Sequence, residues 1–295
     1  MTFLEAKGHL LQMLVPLYDN REAEQITHMV LEHITGMTRT ERAINKLQEL
    51  SSEQVDKVTF YGNELASGKP VQYVLGEAWF AGLRFLVNKH TLIPRPETEE
   101  LVDLMKRVVY FKPISLLDIG TGSGCIPIAL KKKFPLWNIQ SVDLSAGALE
   151  VAKENAKLHE VEIDFVQMDF LNEHNWSSLG KFDVIVSNPP YIKISESSTM
   201  AKHVLDYEPH MALFVPDDDP VIFYKKIAAF GATHLNERGF IFLEINQSLG
   251  NAVSDAFMET HHYSTSVMQD LHGNDRMMIA ELSTPEIIDL NYLRP

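Results

Sequence analysis

The chain has 295 residues, 45% of them apolar, enough for one large domain and a smaller one, and its single cysteine, Cys125, excludes an internal disulfide or a multi-cysteine metal site. The formal net charge of −14 is scattered rather than gathered in a tail, which disfavours a phosphate backbone as partner and suits a basic protein better than DNA. No apolar run is long enough to span a bilayer, and Glu5, Lys7 and His9 interrupt what would be a secretory leader, so a cytoplasmic protein without membrane association or direct nucleic-acid binding is expected.

From Thr2 to about Ala66 the sequence reads as helices without strands. Leu10, Leu11, Leu14 and Leu17 recur at helical spacing, as do Ile26, Met29, Val30 and Ile34, the second set closed by Gly36. A third helix is expected over Glu41 to Leu50, and Ser51-Ser52-Glu53-Gln54 offers an N-cap for a fourth carrying Val55, Val58 and Leu65. This bundle, residues 1–69, carries no evident chemistry, so docking of a substrate protein, or packing, is its expected role. Residues 70–95 form a linker opened by Ser67-Gly68-Lys69-Pro70, and its stretch Trp79 to Val87 suggests a hairpin turning at Ala81-Gly82. Next, Pro96 suits the first turn of a helix, and Glu97, Glu99 and Glu100 suit its positive end. A charged helix start does not explain why Pro94 and Pro96 bracket Arg95; a rigid wall of an active site is the other reading.

Residues 96–295 are read as a third region, in which short apolar runs alternate with amphipathic helices from Ile114 onward, the pattern of a parallel sheet covered on both faces. Strands are expected at Ser115 to Ile119, Ile139 to Asp143, Asp164 to Met168, Asp183 to Ser187 and Phe240 to Ile245, with helices such as Ser145 to Leu158 and Pro220 to Leu235 between them. Lys131-Lys132-Lys133 falls at an expected helix end, where cations meet the helix dipole. The joint from Leu271 to Asp275 is too short for a helical crossover, so Ser264 to Gln269 and Met277 to Glu281 should close the sheet as an antiparallel hairpin.

The first of these strands runs into Gly120-Thr121-Gly122-Ser123-Gly124, a glycine-rich turn opening a helix at the carboxyl edge of the sheet. Asp143, ending the second strand, stands where an acid accepts hydrogen bonds from a ribose, and Asp169 and Phe170, ending the third, suit an adenine edge and face. A dinucleotide needs a pyrophosphate seat, usually with the third glycine one position later; the tighter spacing and the terminal hairpin favour S-adenosylmethionine. Asp143 and Asp169 acting only as caps of the following helices is the structural alternative.

The fourth strand ends in Asn188-Pro189-Pro190-Tyr191. Each proline fixes its own φ and holds the residue before it extended, aiming the Asn188 side-chain oxygen and the Pro189 carbonyl so that both hydrogens of one planar –NH2 group can be accepted, with Tyr191 covering it. A plain Pro-Pro turn and an adenine amino group remain open on these residues alone. The twelve histidines, His261-His262 included, show no ligand spacing, and no metal is expected.

Taken together these features resemble a class I S-adenosylmethionine-dependent methyltransferase acting on a planar nitrogen, a Rossmann-like α/β sheet with a terminal antiparallel hairpin plus a small N-terminal helical domain. The segments Pro70-Val71-Gln72-Tyr73-Val74-Leu75-Gly76 and Leu92-Ile93-Pro94-Arg95-Pro96-Glu97-Thr98-Glu99, with Phe80, Gly82, Phe85 and Val87 between them, are similar to the HemK/PrmC family of release factor glutamine methyltransferases. Val74, where that family often has isoleucine, and Cys125 after the glycine turn are mild departures. The resemblance implies that Gly120 to Gly124, Asp143, Asp169, Phe170 and Asn188 line the cofactor site. It also implies that Asn188, Pro189, Pro190 and Tyr191 hold the glutamine of the Gly-Gly-Gln motif of class I release factors, with Asn188, Pro189 and Tyr191 carrying the catalysis. A glutamine methyltransferase of a ribosomal protein, a DNA adenine methyltransferase and a non-catalytic binding module on the same fold are the competing readings.

Overall fold

The structure, a computed structural model, describes residues 1–109 and 113–283, so positions 110–112 and 284–295 of the region expected over 96–295 lie outside the described residues. Two compact units emerge, one comprising Met1–Ala78, Val87–Lys89 and Thr199–Glu208, the other Trp79–Leu86, His90–Ser198 and the chain from Pro209 on.

The first unit is helical: α1 (Phe3–Leu14), α2 (Asn20–Thr35), α3 (Arg39–Ile44), α4 (Ser52–Ala66) and α5 (Val71–Leu75). Reciprocal capping boxes start α1, where Thr2 pairs with Glu5, and α4, where Ser51 pairs with Gln54. Gly36, at φ 67°, ends α2 in the left-handed conformation. Leu10, Leu14, Ile26, Val30, Val58 and Leu65 meet in the core of this unit. Two expectations need correction. Leu17 is 53% exposed, because α1 stops before Pro16 and the residue falls outside the helical stripe. The third helix covers only Arg39–Ile44, capped by Asn45, after which Phe3 N–H bonds to Gln48 C=O and a bridge joins Thr2 to Glu49.

The chain leaves this unit through strands β1 (Glu77–Phe80) and β2 (Leu83–Leu86), paired around Ala81 and Gly82, both at positive φ as a tight two-residue hairpin requires. Then follow α6 (Pro96–Val108), β3 (Ser115–Ile119), α7 (Cys125–Lys133), β4 (Asn138–Asp143), α8 (Ala146–Leu158), β5 (Asp164–Gln167) and β6 (Phe182–Ser187). A short parallel pair, β7 (Ile192–Lys193) and β8 (Phe214–Val215), flanks an irregular stretch holding α9 (Lys202–Tyr207), none of it foreseen from the sequence. The chain continues as α10 (Ile222–His234), β9 (Leu235–Glu244), α11 (Gly250–Met258), β10 (Tyr263–Gln269) and β11 (Asp275–Leu282). α7 ends on Lys131-Lys132-Lys133 as expected; Lys131 Nζ donates to Trp137 C=O and Lys132 Nζ to His159 C=O.

Seven strands form one sheet in the order β10-β11-β9-β6-β3-β4-β5. The pairs among β9, β6, β3, β4 and β5 are parallel and those of the β10–β11 hairpin antiparallel, as the sequence implied. Alternation along the strands divides the core: Leu117, Ile119, Ile185 and Leu243 pack on one face against α10 and α11 residues such as Tyr224 and Phe257. Leu116, Val184, Val186 and Phe242 pack on the other, against Leu101 of α6 and Ile126 of α7. No described helix is long and apolar enough to cross a membrane.

Gly231 of α10 is fixed by close packing. An added Cβ would lie 2.5 Å from the Tyr263 hydroxyl, itself tied to Ala228 C=O, and 2.7 Å from Ile241 Cδ1. The strain of overpacking exceeds the gain in helix propensity, so Gly231→Ala should lower stability in urea unfolding by about 1–2 kcal/mol.

Candidate active site

The order of the sheet creates the site. From β3 the chain moves outward through β4 to β5, then returns to lay β6 on the other side of β3. The loops leaving β3 and β6 therefore diverge, and a crevice opens at the carboxyl ends of the strands. A cavity lies there, lined by Gly120, Thr121, Gly122 and Ser123 from the first loop and by Asn188, Pro189 and Pro190 from the second. Asp143, Asp169 and Phe170 line it from the ends of β4 and β5, and Leu92, Pro94, Arg95 and Thr98 from the segment that enters α6. The proline-bracketed segment is thus a wall of the cavity.

Gly120 and Gly122 sit at φ 76° and 55° with open space where a Cβ would be, so conformation rather than crowding selects glycine. Gly124 differs. It caps α7 at φ 78°, does not line the cavity, and a Cβ there would meet Ile128 and Ala152, so its role is close packing of α7 on α8. Asp143 Oδ2 accepts the Gly122 N–H at 2.9 Å and Oδ1 the Ser145 N–H at 2.8 Å, which ties the glycine loop to the end of β4. Burial raises the Asp143 pKa, and these backbone donors oppose the rise. Asp169 Oδ1 accepts the Leu171 N–H, and Phe170, 5% exposed, packs against Trp176 and Phe230.

Asn188 follows β6 directly. Its Nδ2 donates to Thr98 Oγ1 at 3.1 Å, Thr98 Oγ1 donates to Glu244 Oε2 at 2.6 Å, and the Tyr191 hydroxyl donates to Glu244 Oε1 at 3.1 Å. Tyr191 is not among the residues lining the cavity; its ring packs on the core formed around Ile185 and Tyr224. Glu244 is buried, and desolvation raises its pKa against the Thr98 and Tyr191 hydrogen bonds and the Arg276 charge. Cys125 also lines the cavity, its thiol pushed by burial up to about 12, so it stays protonated and unreactive.

A Methyltransferase small domain model matches residues 98–209 and a PrmC N-terminal domain model matches residues 17–76. The release factor glutamine methyltransferase of Flavobacterium psychrophilum is 39% identical over 276 residues, covering 92% of this chain and 96% of that protein. The chain belongs to the release factor glutamine methyltransferase family. Proteins of the same name from Bacteroides thetaiotaomicron, 35% identical over 92% of this chain and 98% of theirs, and from Streptococcus pneumoniae, 37% identical over 88% and 92%, agree. Among solved structures, a methyltransferase from Pyrococcus furiosus aligns with TM-score 0.50 at 18% identity over 68% of this chain and 89% of its own. The hMettl16 catalytic domain aligns with TM-score 0.53 at 12% identity, over 79% and 82%; both likenesses are of fold.

Three site residues escaped sequence reasoning: Thr98, Glu244 and Asp118. Thr98 is masked in the sequence by the acidic helix start around it, between Glu97 and Glu99. Glu244 closes the apolar run Phe240–Leu243 of β9 and Asp118 interrupts the run Leu116–Ile119 of β3; an acid in a buried apolar run is the signal available in the sequence. Asp118 is fully buried beneath the glycine loop, with neither carboxylate oxygen hydrogen-bonded among the described residues. Desolvation pushes its pKa up to about 7, the nearby Thr121 hydroxyl pulls the other way, and Asp143 adds to the rise.

The folded protein therefore keeps the Asp118 proton where an unfolded chain, titrating near pH ~4, has lost it, so this group lowers stability as pH rises from about 4 through about 7. Asp118→Asn should remove that fall. In denaturation series the variant should gain on the wild type across this window and keep a constant margin above it; a margin independent of pH would contradict the burial argument.

Proposed function

We propose that this enzyme transfers a methyl group from S-adenosylmethionine to the side-chain amide nitrogen of the glutamine in the Gly-Gly-Gln motif of class I release factors. The observation that carries the reading is the position of Asn188 and Pro189 at the switch point of the sheet, lining the same cavity as the glycine loop. Family membership across both the helical unit and the sheet supports it.

The residues fit the cofactor. Gly120 and Gly122 leave the main chain open to close approach, and the unpartnered Asp118 carboxylate beneath them suits an ammonium group nearby. Asp143 retains lone pairs beyond its two backbone bonds for a ribose, while the apolar surfaces of Leu144, Met168 and Phe170 suit a purine. Bound there, S-adenosylmethionine supplies a methyl group activated by a sulfonium centre.

The protein's part is to make a poor nucleophile attack. An amide nitrogen delocalises its lone pair into the carbonyl, so it must be held where that lone pair is exposed. Asn188 Oδ1 and the Pro189 carbonyl each accept one N–H of the glutamine amide, fixing its plane and favouring a pyramidal nitrogen. Developing positive charge on that nitrogen is met by the same two oxygens, preorganised by the Pro189 and Pro190 rings, and is discharged when one of the two N–H hydrogens leaves as a proton to solvent. Tyr191 is assigned the closing of the site from behind this grip, its hydroxyl anchored to Glu244. We assign the division of labour in the chain as docking of the protein substrate by residues 1–69, a linker over 70–95 and catalysis by 96–295.

Radiolabelled S-adenosylmethionine should mark a class I release factor and leave unmarked the same factor with its Gly-Gly-Gln glutamine replaced, a ribosomal-protein substrate and duplex DNA. Label in DNA would overturn the reading. Asn188→Ala should lower turnover by a factor of about 100 or more with cofactor affinity nearly unchanged, whereas Asp143→Ala should weaken cofactor binding, both read by single-turnover kinetics and calorimetry.

A further inference from the structure

The hydrogen-bond chain behind Asn188 has a direction. Thr98 has one hydroxyl hydrogen, and at 2.6 Å it goes to Glu244, whose ionised form, with no hydrogen to offer, is disfavoured by burial but favoured by the Thr98 and Tyr191 hydroxyls donating to its two oxygens and by the Arg276 charge. Thr98 Oγ1 can then only accept from its other neighbour. The neighbour is Asn188, and the group facing Thr98 must be its –NH2, in agreement with the 3.1 Å contact from Nδ2. The orientation of the amide, normally ambiguous between O and N, is thereby dictated by a carboxylate that Asn188 does not touch. Asn188 Oδ1 is left without a hydrogen bond among the described residues, on a side chain that lines the cavity.

The fold assembles this chain from distant sequence. Thr98 lies in the first turn of α6, which covers the sheet face carrying Phe242 and therefore, by strand alternation, Glu244 at the end of β9. β9 pairs with β6 so that Leu243 is opposite Ser187, which sets Glu244 beside Asn188 one residue further on. The second carboxylate oxygen of Glu244 is held by Tyr191, so the carboxylate cannot turn without losing a bond at both oxygens.

We propose that Thr98 and Glu244 are positioning residues for methyl transfer, locking the Asn188 side chain with its oxygen toward the substrate amide and excluding the flipped state that would present a donor to a donor. The inference rests on the reading of Asn188 as the acceptor of the glutamine amide. A flipped Asn188 would place –NH2 against –NH2, so loss of the lock costs correct orientation in the bound complex more than it costs binding.

The test compares Thr98→Val, which keeps shape and removes the relay, with Thr98→Ser, which keeps the hydroxyl, using release factor as substrate. Thr98→Val should lower kcat by at least about tenfold, with KM for the release factor and affinity for S-adenosylmethionine each within about twofold, and Thr98→Ser should recover most of the loss. Because Thr98→Val leaves Glu244 short of a partner and can weaken the fold, Thr98→Val combined with Glu244→Met, which removes both ends of the pair, is measured beside it and should show the same kcat loss. Thermal unfolding of all variants separates folding from turnover. The proposal is overturned if the folded valine variants keep kcat within about threefold of wild type, or if serine fails as badly as valine. Asn188→Ala is run in parallel: if it retains turnover the acceptor reading itself falls, whereas an inactive Asn188→Ala beside an active Thr98→Val removes only the positioning role.

Discussion

The reversal of the chain across β3 is the constraint on which the rest of the molecule depends. It places the turn leaving β3 and the turn leaving β6 side by side yet diverging, and no other pair of loops in this sheet order does so. The glycine turn gains a ligand-sized opening from that divergence, and the Asn-Pro-Pro turn gains a place beside it. The next strand laid against β6 is β9, so the residue ending β9 inherits the position behind Asn188. Glu244 occupies it.

The site accordingly concentrates charge where the fold would otherwise bury only hydrocarbon. Asp118, Asp143 and Glu244 all have raised pKa values through desolvation, and the three are treated differently. Asp143 is bonded to two backbone N–H groups and holds the glycine loop. Glu244 accepts from two side-chain hydroxyls, behind Asn188. Asp118, fully buried, makes neither kind of bond among the described residues. An unpaired buried carboxylate is a cost in the folded protein.

What could be read from the sequence was local. The β3 turn, Asp143 and Asn188-Pro189-Pro190 announce themselves because glycine, proline and strand ends act over a few residues, and the apolar runs placed all seven strands of the main sheet. The helical unit was legible through its spacing and caps, except where one residue decided the outcome: Pro16 stops α1 short of Leu17, and Asn45 ends α3 early. The relay behind Asn188 was not legible, since Thr98 and Glu244 are 146 residues apart and meet only through the packing of α6 on the sheet. Gly124 shows the same limit. It belongs to the same glycine run as its neighbours, yet it answers to Ile128 and Ala152 rather than to the cavity.

Asn188 and Pro189 are proposed to accept the two hydrogens of a glutamine amide. A crystal structure of the protein with S-adenosylhomocysteine and a class I release factor tests this proposal most directly. The Gly-Gly-Gln side-chain nitrogen should lie within hydrogen-bonding distance of both Asn188 Oδ1 and the Pro189 carbonyl, with Asn188 Nδ2 still on Thr98. A glutamine seated elsewhere in the cavity, or held through its oxygen by a flipped Asn188, would contradict it.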